Sequence, residues 1–385
     1  MGGLLQARWI DPAVFGEFRK FGILTSYFYI GLILVHDGLM RQFPYLIGKG
    51  KRDDALKVAA TAKWWYLLLS WLFSAFFAGL TLVSVWKGDY RSAVGWGAQI
   101  PCIWATIYGF YLGVMYRTSF DFKRLSYNNI TSSIVSFFAL VLVKVWGYWG
   151  LAARFALQHM VGLYINRRHL PVKVKAVFDA KGLAELAKIS LPLAIPGYIH
   201  TSCLTASLSV IILKFCGQSG LGVYGMALTF QTMAMTFTTA LNQIFITKLT
   251  SRFGETDDVF SCVRYAKVPT LLSVGAASVL ALGLSLVVSP FVRLLLPKYV
   301  EAIPVIRILA MSLPLSAAGL PLIILRSALW YKSVFALALT RFLVCLTAVA
   351  LCPKTLTAIA ACFVFGEFCS LIVGFGILEW NRGKK

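Results

Sequence analysis

Residues 268–292 read VPTLLSVGAASVLALGLSLVVSPFV, twenty-five consecutive positions without an Asp, Glu, Lys or Arg. As a helix this stretch is about 37 Å long, enough to cross the ~30 Å hydrocarbon core of a bilayer. Inside such a helix every backbone N–H and C=O finds its partner, which is the condition that lipid imposes. The runs 64–86, 92–116 and 189–213 have the same character. Six weaker runs cover 16–40, 125–143, 221–247, 302–325, 333–353 and 355–378. A short eleventh, 149–166, carries Arg154 and His159. The pattern predicts an all-α integral membrane protein with about eleven transmembrane helices.

Composition agrees. The chain is 59% hydrophobic and 14% charged, whereas soluble domains average nearer half and a quarter. A soluble protein of this size has no place for so much apolar side chain. The formal charge of +22 invites a nucleic-acid reading. The Lys and Arg residues, however, lie in short loops between apolar runs, with no aromatic and basic surface among them, so nucleic acid is not an expected partner. Five of the eight cysteines sit in apolar runs, and no C-x-x-C pair or Cys/His cluster occurs. No metal site and no cofactor is implied. No cleavable signal peptide is evident at the start.

The basic loops set an orientation. Alternate loops, beginning with 41–63 and ending with 382–385, hold 24 of the 37 Lys and Arg residues. The opposite set holds 11 at most. Positive loops face the cytoplasm, which places the C-terminus inside and residue 1 outside.

An internal repeat accounts for that asymmetry. Shifting the chain by 206 residues lays 64–86 on 270–292, 92–116 on 298–322 and 125–143 on 331–349. Phe15-Gly16-Glu17-Phe18 falls on Leu221-Gly222-Val223-Tyr224, and Gly48 on Gly254. Parallel repeats of this kind are a transporter architecture, with the substrate site where the halves meet. The run 189–213 has no partner in this register, because its equivalent would lie before Met1. Twelve helices are therefore expected with the first one missing, through a truncated gene, a misplaced start, or a true eleven-span design. The expected organisation is an N-terminal lobe 1–166, a cytoplasmic linker 167–188 and a C-terminal lobe 189–385. Val177, Leu183, Leu186 and Ile189 give the linker an amphipathic stretch, expected as a helix on the membrane surface.

Several short motifs point to a family. Asp11-Pro12-x-x-Phe15-Gly16-x-Phe18, His36-Asp37-Gly38-Leu39-x-Arg41-x-x-Pro44, Gly48-Lys49-Gly50, Ile189-Ser190-Leu191-Pro192-Leu193 and Gly220-Leu221-Gly222-x-Tyr224 are the residues concerned. Together they resemble the polysaccharide-biosynthesis and O-antigen flippases of the multidrug/oligosaccharidyl-lipid/polysaccharide exporter superfamily. The resemblance implies two six-helix lobes in a V and alternating access. It also implies transport of a polyprenyl-diphosphate-linked glycan, as in O-antigen and lipopolysaccharide synthesis, across the cell inner membrane. Glycan polymerase or ligase machinery would be the partner besides the bilayer.

Ionisable residues within the spans supply independent candidates, since an intramembrane charge costs ~2.5–3.5 kcal/mol on insertion scales and faces a cavity or a partner. Arg154, Arg307 and Arg341 are the main ones, with His200 and, nearer the outer end, Arg19 and Lys20. An arginine fork suits a diphosphate because it can bind two oxygens at once. A second reading stands beside this: each arginine snorkels to headgroups, or pairs with Asp37 or Glu367 to hold helices together. Asp37 could couple an ion gradient, or cap its helix and pair with Arg41. Gln231, Asn242 and Gln243 could touch sugar hydroxyls or bond between helices. Two alternatives to a flippase remain: a multidrug or ion antiporter of the same fold, which needs an acidic cavity, and a membrane-embedded polymerase or acyltransferase. The short outer loops and the absence of clustered catalytic groups speak against an enzyme.

Overall fold

The computed structural model describes residues 2–119, 121–256, 258–328 and 330–382; the side chains of 2–3, 48, 237–238, 240–256 and 326–327 lie outside that description, Asn242 and Gln243 among them. Among the described residues every regular element is helical, and helix stands at all eleven expected places. Seven helices are each long and apolar enough to cross a membrane, or eight if one bent pair counts as a span. The count falls below eleven for three reasons: α10, Leu204–Thr256, runs through two expected spans, α7, Phe122–Phe138, is short, and the expected span 302–325 is broken into short helices. Gly217 (φ 69°, ψ −170°) breaks the first of these. That left-handed φ costs glycine nothing and any other residue strain.

Lipid is visible as the solvent in the exposure pattern. In α11, Val259–Leu295, only 17% of the most apolar stretch is buried, and Leu271 and Val279 are each 72% exposed. In water such a surface would aggregate. The protein is a multi-pass membrane protein.

The chain divides into two compact units, Met1–Ile10 with Lys20–Tyr198, and Asp11–Arg19 with Ile199–Lys385. In the first unit, α4 (Arg52–Trp86) packs on α6 (Gln99–Thr118), and α6 and α7 pack on α8 (Leu140–Arg168). Tyr66, Phe77, Ile103, Ile107, Tyr111, Met115 and Tyr116 fill the core between them. The expected first span is longer than its hydropathy suggests and is bent. Helix α2, Pro12–Phe28, passes through a 3-10 turn at Tyr29–Leu32 into α3, His36–Gly48, with a 43° change of direction. Asp37 therefore lies in the first turn of α3, at the bend, not near the cytoplasmic end of a straight helix. A carboxylate there meets the positive end of the helix dipole.

The linker also differs from expectation. Residues 173–179 form neither helix nor strand, and α9, Ala180–Tyr198, already contains Leu183, Leu186 and Ile189. This strap is tied to α4 by Val177 N–H to the Ala60 carbonyl (3.3 Å) and Lys63 Nζ to the Val174 carbonyl (2.6 Å). Leu186 is fully buried and touches α3 at Gly38, whereas Val177 stays exposed, so this part of the apolar stripe packs on protein.

In the second unit a π-helical turn, Ile199–Cys203, follows the two prolines of α9 and leads into α10. Pro196 lacks an N–H and crowds the preceding turn, which is a common cause of such a local widening. Helices α12 (Ala302–Ala310), α13 (Ser312–Ala318) and α14 (Ile324–Ser327) form one interrupted span beside α11, and α15 (Tyr331–Leu351) and α16 (Leu356–Arg382) form a tight hairpin. Lys354 Nζ donates to the carbonyls of Ala350 (2.8 Å) and Cys352 (2.9 Å), satisfying the end of α15.

The repeat becomes a contact in this unit. A Cβ on Gly16 would lie 1.7 Å from the Gln218 carbonyl oxygen, and one on Gly222 would lie 1.9 Å from that of Pro12. Gly16 and Gly222 are 206 residues apart, as are Pro12 and Gln218. Each side thus makes to the other the contact it receives, which is the mark of a two-fold relation. Helices α2 and α10 cross backbone to backbone through glycines that the sequence shift had already paired.

Candidate functional site

One helical turn beyond that crossing lies Arg19. Its repeat partner is Gly225, and the two face each other: Arg19 Nη1 donates to the Gly225 carbonyl at 3.3 Å. A Cβ on Gly225 would meet Arg19 Cδ at 2.5 Å and Nε at 2.6 Å. Two side chains cannot share this place, so one repeat supplies the arginine and the other the room for it. The guanidinium also lies over the Phe15 ring, 5.6 Å from its centroid. Among the described residues no carboxylate pairs with it.

Arg19 lines a cavity of about 500 Å³ with Thr205, Leu208, Tyr224, Leu228, Thr229, Gln231, Thr232, Met233, Thr236 and Phe363. The size suits a small-molecule group. Among the described residues Arg19 is the single charged member of the lining. The other described lining residues are hydroxyl, amide, aliphatic and aromatic. Of these residues the sequence marks Arg19 and Gln231 as site candidates and Tyr224 as part of a family motif. The signal for the others was present in the spacing of Thr229, Thr232 and Thr236, which share one helix face. Threonine in a membrane helix ordinarily bonds its own backbone, so spacing alone carries little.

Arg341, His200 and Glu367 are brought together in the same unit but behind the lining. Arg341 Nη2 donates to Glu367 Oε2 at 3.4 Å, and both side chains are 8% exposed. Arg341 Nη1 donates to His200 Nε2 at 2.7 Å, which requires that nitrogen to be unprotonated, since a guanidinium has no acceptor. Phe363 covers the guanidinium at 4.7 Å and presents itself to the cavity. Arg341 therefore does not line the cavity; it joins α15, α16 and the π turn. Removing one member strands a buried charge, so Glu367→Ala is expected to destabilise the protein by ~3–5 kcal/mol. The joint replacement Arg341→Met with Glu367→Leu is expected to recover most of it. Thermal unfolding in detergent reads both; an unchanged midpoint for Glu367→Ala would refute a structural pairing.

The remaining candidates lie elsewhere. Arg307 is exposed, donating from Nε to the Ser285 carbonyl (3.1 Å) and from Nη2 to Ser289 Oγ (2.9 Å). Arg154 is buried in the first unit, where it donates to the Ser136 carbonyl and hydroxyl (3.0 Å each) and to Gln6 Oε1. It ties the short helix α1, Gly2–Gln6, to α7 and α8. Lys20, also in the first unit, sits over the Phe21 ring at 4.8 Å and is no part of the Arg19 cavity, since adjacent residues on a helix point ~100° apart.

Residues 7–266 match the profile of a family described as polysaccharide biosynthesis protein. The chain belongs to that family. Arg19, Gly225 and the threonines fall inside the matched stretch, whereas Arg307, Arg341 and Glu367 fall beyond it. No curated protein matches the chain. Solved structures do. An inward-facing multidrug resistance MATE family transporter of the MOP superfamily is 14% identical at a TM-score of 0.72, covering 100% of this chain and 93% of its own. The lipid II flippase MurJ in an inward closed conformation is 10% identical at 0.69, with 98% and 84% covered. A MOP superfamily transporter from Pyrococcus furiosus is 17% identical at 0.62, with 100% and 91% covered. At such identities the likeness establishes the fold, which is that of the MOP superfamily.

Proposed function

We propose that this polysaccharide biosynthesis protein is a flippase, not an enzyme, and that it carries a polyprenyl-diphosphate-linked oligosaccharide across the cell inner membrane by alternating access. One observation carries the reading: among the described residues, an arginine without a carboxylate partner lines a cavity whose other polar groups are neutral. A buried cation left unpaired costs free energy, and an anionic ligand offsets that cost. Arg19 is the residue that holds the diphosphate. Arg341, His200 and Glu367 support the wall, and Arg154, Arg307 and Lys20 serve structure. Asp37, at the bend of the first span, serves structure as well.

The structures similar to this chain include a lipid II flippase and both inward-facing and outward-facing transporters, which supports alternating access. Some of them are multidrug resistance transporters. A basic cavity opposes a cationic cargo, for which a cavity lined by acids would be needed. For the Pyrococcus furiosus transporter, too, a binding pocket of reverse polarity suggests a different function. The C-terminus faces the cytoplasm by the distribution of basic residues, and a glycan polymerase or ligase receives the product. The test is a deletion strain. Loss of the protein is expected to accumulate lipid-linked sugar on the cytoplasmic leaflet; accumulation on the outer leaflet, or none, would refute the flippase.

A further inference from the structure

The cavity wall is sorted by hydrogen-bonding sense. Thr229 Oγ1 donates to the Gly225 carbonyl (2.9 Å), Thr232 to that of Leu228 (2.7 Å) and Thr236 to that of Thr232 (2.8 Å). A hydroxyl has one proton, so each of these retains only acceptor capacity. Gln231 Nε2 donates to Ser312 Oγ at 2.6 Å, and Ser312 in turn donates to the Leu309 carbonyl at 2.7 Å. Arg19, at the near end of α10, can only donate. The cavity thus has a donor pole for an anion and, along α10, a ladder of acceptors.

We infer that Thr229, Thr232 and Thr236 read the sugars next to the diphosphate, by accepting hydrogen bonds from sugar hydroxyl or acetamido N–H groups. Their spacing of three and four residues keeps them on one face and spans about 10 Å, long enough for two adjoining sugar rings. A ligand that offers acceptors in this place leaves three hydroxyls facing it unpaired; a ligand that offers donors satisfies them. Phe363 on the same wall supplies a flat apolar face for the carbon–hydrogen side of a ring. The repeat places the ladder in one half alone. The equivalent positions are Ile23 and Ser26 on α2 and Ile30 in the turn after it, of which only Ser26 carries a hydroxyl, so the three-rung ladder is absent there. One helix of the crossing pair carries the cation and the other carries the ladder.

The inference rests on the flippase reading, and the test separates the two. The protein in nanodiscs is titrated with farnesyl diphosphate and with farnesyl diphosphate bearing chitobiose. The native chain is expected to bind the sugar-bearing probe about tenfold more tightly, the worth of one or two net hydrogen bonds. The triple Thr229→Val, Thr232→Val, Thr236→Val variant keeps the shape and is expected to bind both probes alike, with the sugarless affinity of the native chain. Replacing all three by serine keeps the hydroxyls and is expected to keep the preference, and Thr232→Val alone is expected to lose about threefold. A sugar preference that survives in the triple valine variant overturns the ladder, as does a serine variant that loses it. Equal binding of both probes by the native chain does the same and leaves the flippase standing. If the native chain binds neither probe, the flippase reading fails and the ladder with it.

Discussion

Arg19→Gln is expected to abolish rescue of a flippase-null strain while leaving the protein folded. In binding terms the loss is about 10- to 100-fold for a diphosphate probe, since a hydrogen bond to a charged group contributes ~1.5–3 kcal/mol. The side chain makes a single hydrogen bond to the described part of the protein, at the Gly225 carbonyl. Little packing is lost with it, and an unpaired cation leaves a low-dielectric setting, so the thermal midpoint is expected to hold or rise. Opposite signs on function and stability are the signature of a residue kept for its ligand. Arg19→Lys is expected to restore part of the activity, because an ammonium supplies charge without the two-pronged fork. Gly225→Ala is expected to act in the same direction from the other side. Its methyl would meet the arginine side chain at 2.5 Å, and a flexible side chain yields by moving away from its post. If Arg19→Gln lowers stability and activity together, the residue is structural and the proposed anion site is wrong.

The largest effect on stability is expected from Gly16→Ala and Gly222→Ala. Here the added methyl meets backbone, not a mobile side chain, at 1.7 and 1.9 Å. The crossing of α2 and α10 has to open, at the upper end of the 1–3 kcal/mol range for overpacking, or about 3 kcal/mol or more. Because the two contacts are related by the repeat, the two variants should be damaged alike. Unfolding midpoints of the purified proteins check this. A tolerant Gly16→Ala beside a damaged Gly222→Ala would show that the two-fold contact is not what holds the crossing.

How much of this was legible beforehand depends on the physical range of each feature. Apolar runs are a local property, since transfer into lipid is set residue by residue, and the eleven helical places followed from them. The repeat was legible because duplication copies hydropathy in order, and Gly16 was paired with Gly222 before their contact was known. The bend at Asp37 was hidden: helix continuation past residue 40 is decided by packing against α4 and α9, not by the charges at 36, 37 and 41. The linker misled for a related reason. Leu183 and Leu186 show the same periodicity whether the apolar stripe meets lipid headgroups or α3.

The sequence by itself determined the solvent of this protein, its helical class, its duplication and the set of intramembrane charges open to functional use. Only the tertiary structure decided among those charges. It placed Arg341 against Glu367, 26 residues away, and His200, 141 away, and left Arg19 facing a cavity with Gly225 yielding the space. The cost of burying a charge can be read from composition, but what relieves that cost depends on which distant groups the fold brings within hydrogen-bonding reach.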